Sequence, residues 1–172
     1  MKLKRFFPLI TIVTLLTLPA CLGNNEATDY SSWMNLNTRY YDSIALLTED
    51  GNLVYREITP EWDRSFSILM KWHNNPNENE SDITPLSNST CDVSYTLTNI
   101  AGDTLDSSAS YSCIPNQMST GFMAALTNMK VNDTVTAVIP YAAGYGAYGS
   151  GGVRPYSTLI FGIRLKNITK LM

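Results

Sequence analysis

Pro155-Tyr156-Ser157-Thr158-Leu159-Ile160-Phe161, close to the end of a 172-residue chain, is the stretch on which the fold turns. Residues 157–165 are β-branched and apolar, which predicts a strand. A proline two residues ahead of such a run is tolerated, because the backbone there owes no ladder hydrogen bond. Upstream lies a second β-branched run, residues 134–139, and between the two a segment rich in glycine and tyrosine, residues 141–152. Gly144, Gly146, Gly149, Gly151 and Gly152 lack the Lys-Ser/Thr that completes a phosphate loop. They also precede a strand instead of opening a helix, which excludes a dinucleotide fingerprint.

Further upstream, Ser119-Thr120 is a cap signal for a short helix whose apolar residues are Phe122, Ala125, Leu126 and Met129. Residues 92–99 alternate, with Val93, Tyr95 and Leu97 on one face. Ala101-Gly102-Asp103 turns that strand into a short one around Leu105, followed by a loop of serines and a further strand at Cys113-Ile114. Residues 73–90 are too polar to bury, and Glu78 and Glu80 there are a solvated run. Residues 53–58 and 66–72 read as strands on either side of Pro60. Ser31-Ser32 caps a helix running to about Leu47, with Trp33, Leu36, Tyr40, Ile44 and Leu47 as its packing stripe. The elements together describe an α+β chain.

The first residues set the compartment. Lys2, Lys4 and Arg5 precede an apolar run, residues 6–18, too short to span a bilayer comfortably and laid out as a secretory signal. Leu18-Pro19-Ala20-Cys21 is similar to a bacterial lipobox, so Cys21 is the expected lipidation site, residues 1–20 a signal peptide and residues 21–31 a tether. Acyl chains contribute ~0.8 kcal/mol per buried methylene, enough in combination to hold a chain on a membrane. Leu22, where an aspartate would suggest inner-membrane retention by analogy with lipoproteins, favours an outer-membrane location facing the periplasm. Losing Lys2, Lys4 and Arg5 with the leader takes the basic count from 12 to 9 against 15 acids, about −6 in all. No basic footprint remains, which argues against nucleic acid as a partner.

The chemistry is bounded by what is missing. His73 is the single histidine, and its neighbours offer no polarised nucleophile. One histidine with two further cysteines supplies too few ligands for structural zinc. No cofactor and no metal are expected. Cys91 and Cys113, in an export compartment, read either as a disulfide or as two buried thiols.

Read in order, residues 91–168 resemble the FKBP-type peptidyl-prolyl isomerases. Val93-Ser94-Tyr95 resembles the family's second strand, and Leu105-Asp106-Ser107-Ser108 its Phe-Asp-Ser-Ser turn. Gly121-Phe122 with Leu126 and Met129-Lys130-Val131 resembles the pocket-floor helix and its exit. Ile139-Pro140 followed by Gly144-Tyr145-Gly146 resembles the strand and flap, and Pro155-Tyr156-Ser157-Thr158-Leu159-Ile160-Phe161 the approach to the final strand. The resemblance implies an FKBP-like antiparallel sheet wrapped around one short helix, over residues 66–172. Residues 32–65 then form an N-terminal extension of helix plus strand. It implies a pocket floored by Phe122 and walled by Tyr95, Leu105, Val153 and Phe161, with Met118 and the Ser119 N–H at the rim. Tyr145 would donate to a substrate carbonyl, and Asp106 would orient Tyr95. By the same resemblance Cys91 begins one strand and Cys113 lies past a bulge on its neighbour, the arrangement expected of a disulfide worth roughly 3 kcal/mol. Phe122 stands where many members have tryptophan, Leu105 replaces a phenylalanine, and the segment between Ser108 and Gly121 is short.

The implied reaction needs no proton transfer. X–Pro bonds isomerise in tens to hundreds of seconds because amide resonance must be broken. A dry aromatic cleft favours the less dipolar twisted amide over the planar one. The expected partners are proline-containing peptides or unfolded exported proteins, with the membrane reached through Cys21. The alternative expectation is a catalytically weak FKBP-fold binding or chaperone-like envelope lipoprotein, presenting Tyr141 and Tyr148 as an aromatic surface.

Overall fold

The computed structural model describes residues 29–75, 77 and 79–170. The expected signal peptide, the lipidation site Cys21 and most of the tether lie outside the described residues. Among the described residues no helix is long and apolar enough to cross a membrane.

In chain order the elements are α1 (Ser31–Ala45), β1 (Thr48–Glu49), β2 (Asn52–Leu53), β3 (Arg56–Ile58), β4 (Ile68–Trp72), β5 (Thr90–Thr98), β6 (Thr104–Cys113), α2 (Thr120–Thr127), β7 (Thr134–Ile139) and β8 (Leu159–Lys170). β1 and β2 form a hairpin whose turn has left-handed backbone at Asp50 (φ 50°) and Gly51 (φ 80°), as a two-residue connection requires. The other strands make one antiparallel sheet in the order β3-β4-β7-β8-β5-β6.

β8 shows how the sequence builds this sheet. Leu159, Phe161, Ile163 and Leu165 are buried, whereas Gly162 and Arg164 are exposed, so the two-residue period sorts the strand into a core face and a solvent face. Val93 and Leu97 of β5 and Val135 and Ala137 of β7 join the same core. Phe122, Ala125 and Leu126 from α2 fill the concave side. Each fully buried large side chain contributes about 1.5–3 kcal/mol of transfer free energy. The close seat of α2 depends on Gly121, where an added Cβ would lie 2.2 Å from Ile139 Cγ2.

Four local expectations change. The strand expected over residues 53–58 is split into β2 and β3, and β3 pairs with β4 (Arg56↔Met70, Ile58↔Ile68). The boundary between residues 65 and 66 therefore falls between two neighbouring strands of one sheet. The serine loop is no loop: β6 continues through it. The register steps from Val93↔Tyr111 to Tyr95↔Ser108, one extra residue on β6, a bulge that keeps the strand paired on both sides. α1 ends at Ala45, so Leu47 lies beyond it; Leu47 and, on the helix, Leu36 are exposed, and the single buried residue of α1 is Asn37. The packing face runs instead through Trp33, Asn37 and Tyr41, whose hydroxyl donates to Ser67 O at 2.8 Å. Ser31 and Ser32 do not cap the helix with their side chains; Asp29 Oδ1 accepts the Ser31 N–H at 2.8 Å.

The polar loop after β4 is pinned at Asp133, which is 1% exposed. Its carboxylate accepts from Asn74 Nδ2 (2.9 Å), Asn79 Nδ2 (2.8 Å), Trp72 Nε1 (3.2 Å) and Lys130 N (2.9 Å). Burial alone would raise its pKa, but these four donors together hold it below the ordinary aspartate value.

Candidate active site

The bulge in β6 and the sheet's curvature bring aromatic rings from four elements together over α2. Tyr95 of β5 lies with its ring centroid 6.3 Å from Phe122 of α2 and 6.1 Å from Phe161 of β8. Phe122 and Phe161 meet edge to face at 5.0 Å. Such tilted contacts suit the ring quadrupole and fix ring orientation. Val153 is buried in the hydrophobic core that Phe122 and Phe161 belong to, and Leu105 and Met118 pack against that core half-buried.

The polar groups sit on the open side. The Tyr95 hydroxyl donates to Asp106 Oδ2 at 2.6 Å, and Ser107 N donates to Asp106 Oδ1 at 2.8 Å. Asp106 is exposed, so its charge keeps its solvation and needs no saturating set of donors. The hydrogen bond to Asp106, then burial and the nearby negative charge, push the Tyr95 phenol up to about 12. Tyr145 is 37% exposed. Its phenol is raised by burial first, then by the charges of Asp106 and Tyr111. The Tyr145 hydroxyl has no hydrogen-bond partner among the described residues. Ser119 occupies the N-cap position of α2 without a side-chain cap bond, while its carbonyl accepts from Met123 N at 2.9 Å. Its own N–H has no partner among the described residues.

Sequence reasoning missed Tyr111. Its ring lies 5.7 Å from Tyr95 and its hydroxyl 3.9 Å from Met118 Sδ. The signal was present: Tyr111 stands two residues before Cys113, the spacing that puts two strand residues on one face.

The expected disulfide is not formed. Cys91 and Cys113 are opposite each other in the β5–β6 register, yet both are free, buried thiols. Burial, aided by Asp92, pushes Cys91 up to about 11. Burial, then Cys91 and Asp92, pushes Cys113 up to about 12. Both therefore stay protonated and pack as small apolar groups. His73 is exposed just past β4, with Nε2 2.8 Å from Thr136 Oγ1, away from the ring cluster. Among the described residues no group of three or more His, Cys, Asp or Glu is placed to hold a metal ion. Tyr141, expected on an exposed surface, is half-buried against Tyr156 at 5.4 Å, whereas Tyr148 is exposed.

A bulged antiparallel sheet closed over one short helix, with an aromatic cluster at its open side, defines an FKBP-like α+β domain. The chain belongs to the FKBP-type peptidyl-prolyl cis-trans isomerase family, whose model matches residues 81–166, half of its length. It shares its fold with a peptidyl-prolyl cis-trans isomerase from Pseudomonas syringae pv. tomato str. DC3000, at TM-score 0.69 and 21% identity, over 83% of this chain and 97% of that one. FkpA from Escherichia coli aligns at TM-score 0.63 and 23% identity, over 78% of this chain and 58% of that one. No curated protein matches the chain.

Proposed function

We propose that the ring cluster of Tyr95, Phe122 and Phe161 is the proline-binding floor of an isomerase acting on exported, incompletely folded proteins. The observation that carries this reading is the Tyr95–Asp106 hydrogen bond at 2.6 Å at the edge of the Tyr95–Phe122–Phe161 ring cluster, with Tyr145 exposed and its hydroxyl without a hydrogen-bond partner among the described residues. On this reading a proline ring stacks on the accessible edge of the cluster, at half-buried Tyr95, Leu105 and Met118 and exposed Tyr111, above Phe122, which is 1% exposed. Tyr145 donates its O–H to the substrate carbonyl, and the Ser119 N–H receives a second carbonyl at the rim. Asp106 holds the Tyr95 ring upright and keeps its phenol protonated.

Catalysis then follows from differential binding. The planar amide has a rotation barrier of ~18–20 kcal/mol. Rotation removes resonance and part of the dipole, so the twisted form loses less on leaving water for an apolar site. Lowering the barrier by about 4–5 kcal/mol accelerates isomerisation roughly a thousandfold or more. No atom changes bonding partner, so the reaction asks neither a nucleophile nor a proton transfer of the site.

The leader-like residues 1–20 and Cys21 support placement in the cell envelope, lipid-anchored at the outer membrane and facing the periplasm. Replacing Cys21→Ser should release the chain from the membrane fraction, and retention would overturn the anchor. The activity is tested by cis/trans relaxation of a proline tetrapeptide. Acceleration that falls at least tenfold in Tyr145→Phe is expected; no acceleration by folded protein rejects the proposal.

A further inference from the structure

Helix α1 grips the segment that carries Tyr145. Its one fully buried residue, Asn37, is polar, and its side-chain oxygen is spent on this contact while its amide nitrogen bonds back into the helix. Asn37 Oδ1 accepts the Thr158 N–H at 2.7 Å, and Asn37 Nδ2 donates to Trp33 O at 2.9 Å. The Thr158 hydroxyl donates back to Asn37 O at 3.2 Å. One turn earlier, Trp33 Nε1 donates to Ser157 Oγ at 3.2 Å, and Ser157 Oγ donates to Arg154 O at 2.7 Å. The Arg154 guanidinium lies over the rings of Trp33 (4.9 Å) and Tyr30 (5.3 Å).

From there the hold passes to the flap. Tyr156 has left-handed backbone, φ 59°, a conformation a bulky residue keeps only when its surroundings impose it. Its neighbours Ser157 and Thr158 are the residues α1 binds, and its ring rests between Tyr30 (6.1 Å) and Tyr141 (5.4 Å). In that conformation the Tyr156 N–H donates to Gly146 O at 2.9 Å, and Gly146 N donates to Tyr141 O at 2.9 Å. Both bonds fix the residue that follows Tyr145.

We infer that Asn37 is a positioning residue: through Thr158 and Tyr156 it sets where the Tyr145 hydroxyl stands, so the N-terminal helix is part of the catalytic apparatus. The inference rests on the role proposed for Tyr145. A hydroxyl displaced by about an ångström loses much of its value to a reacting group, which a change far from the chemistry can cause.

The test uses the full chain, folded by circular dichroism, with a proline tetrapeptide as substrate. Asn37→Ala should lower kcat by about tenfold with KM within about twofold. In a Tyr145→Phe background the Asn37→Ala change should have little further effect, because its route ends at the missing hydroxyl. Unchanged kcat in folded Asn37→Ala, or an equal loss in both backgrounds, overturns the inference. Should Asn37→Ala not fold, Trp33→Phe, which removes the bond to Ser157 and trims the ring under Arg154, takes its place with the same expectations. If Tyr145→Phe itself is fully active, the reading of the site fails first. Amide hydrogen exchange then decides the positioning claim: faster exchange at Tyr156 and Gly146 in Asn37→Ala upholds the hold on the flap, and unchanged exchange refutes it.

Discussion

Two aspartates mark the two ends of this molecule. Asp106, beside the ring cluster, is exposed and bonded to one tyrosine hydroxyl and one backbone N–H. Asp133, at the start of β7, is buried and takes four donors from Trp72, Asn74, Asn79 and Lys130. A buried charge survives only when its lone pairs are filled, and a filled carboxylate has nothing left for a ligand. An open one keeps capacity to steer a neighbour that does touch a ligand. On the proposed function, the difference separates a residue that holds the chain together from one that prepares a site.

The largest effect should come from breaking the closed end. Asp133→Ala leaves four donors unmatched in or near the core and is expected to cost about 3 kcal/mol of stability, more than a hundredfold in the folding equilibrium. Urea unfolding measures it. The same carboxylate has a folded pKa below its usual value, so its stabilisation is complete above the unfolded value of 3.8 and fades as pH falls through the lower folded one. That part of the acid sensitivity should vanish in Asp133→Ala.

At the open end the effect should be on rate instead. Asp106→Ala frees the Tyr95 hydroxyl and is expected to lower kcat/KM about tenfold, some 1.4 kcal/mol of transition-state stabilisation, while changing stability by under about 1 kcal/mol. A large loss of stability with unchanged rate would reverse the roles assigned to the two carboxylates. The smallest effect concerns pH. With Tyr95 pushed up to about 12 and Tyr145 raised as well, both phenols stay protonated in neutral and mildly alkaline solution. Stopped-flow rates should therefore be flat from neutrality to about pH 9–10. A fall beginning near pH 8 would mean that another group titrates in the reaction.

The two ends were not equally legible. Tyr95, Asp106, Phe122, Tyr145 and Phe161 stand in short ordered motifs tied to turns and strand starts, and a residue needed at a fixed place in a turn leaves a local signal. The sheet was readable for the same reason, since β5, β7 and β8 alternate or run β-branched. Tyr111 escaped because serines on either side of it resemble a loop; only pairing with β5 makes that run a strand. Asn37 escaped because a polar residue in a helix normally marks its wet face. Its partner, Thr158, is more than a hundred residues away, and a bond of that span has no sequence period. Asp133 was hidden likewise by Asn74 and Asn79, which look like solvated loop residues until the fold carries them to it. The Cys91–Cys113 pairing was anticipated in register but not in chemistry: placing both sulfurs in the core left them as neutral thiols.

A further groove of about 680 Å3, lined by residues including Pro60, Trp62, Pro85 and Leu86, gives the account a genuine competitor for peptide binding. The most direct measurement is a two-dimensional NMR titration of the chain with a proline tetrapeptide, following backbone amides residue by residue. The account predicts the largest shifts at Ser119, Phe122, Tyr145 and Phe161, with Asn74, Asn79 and Asp133 unmoved. Shifts concentrated at Trp62 and Leu86, or around Asp133, would contradict it.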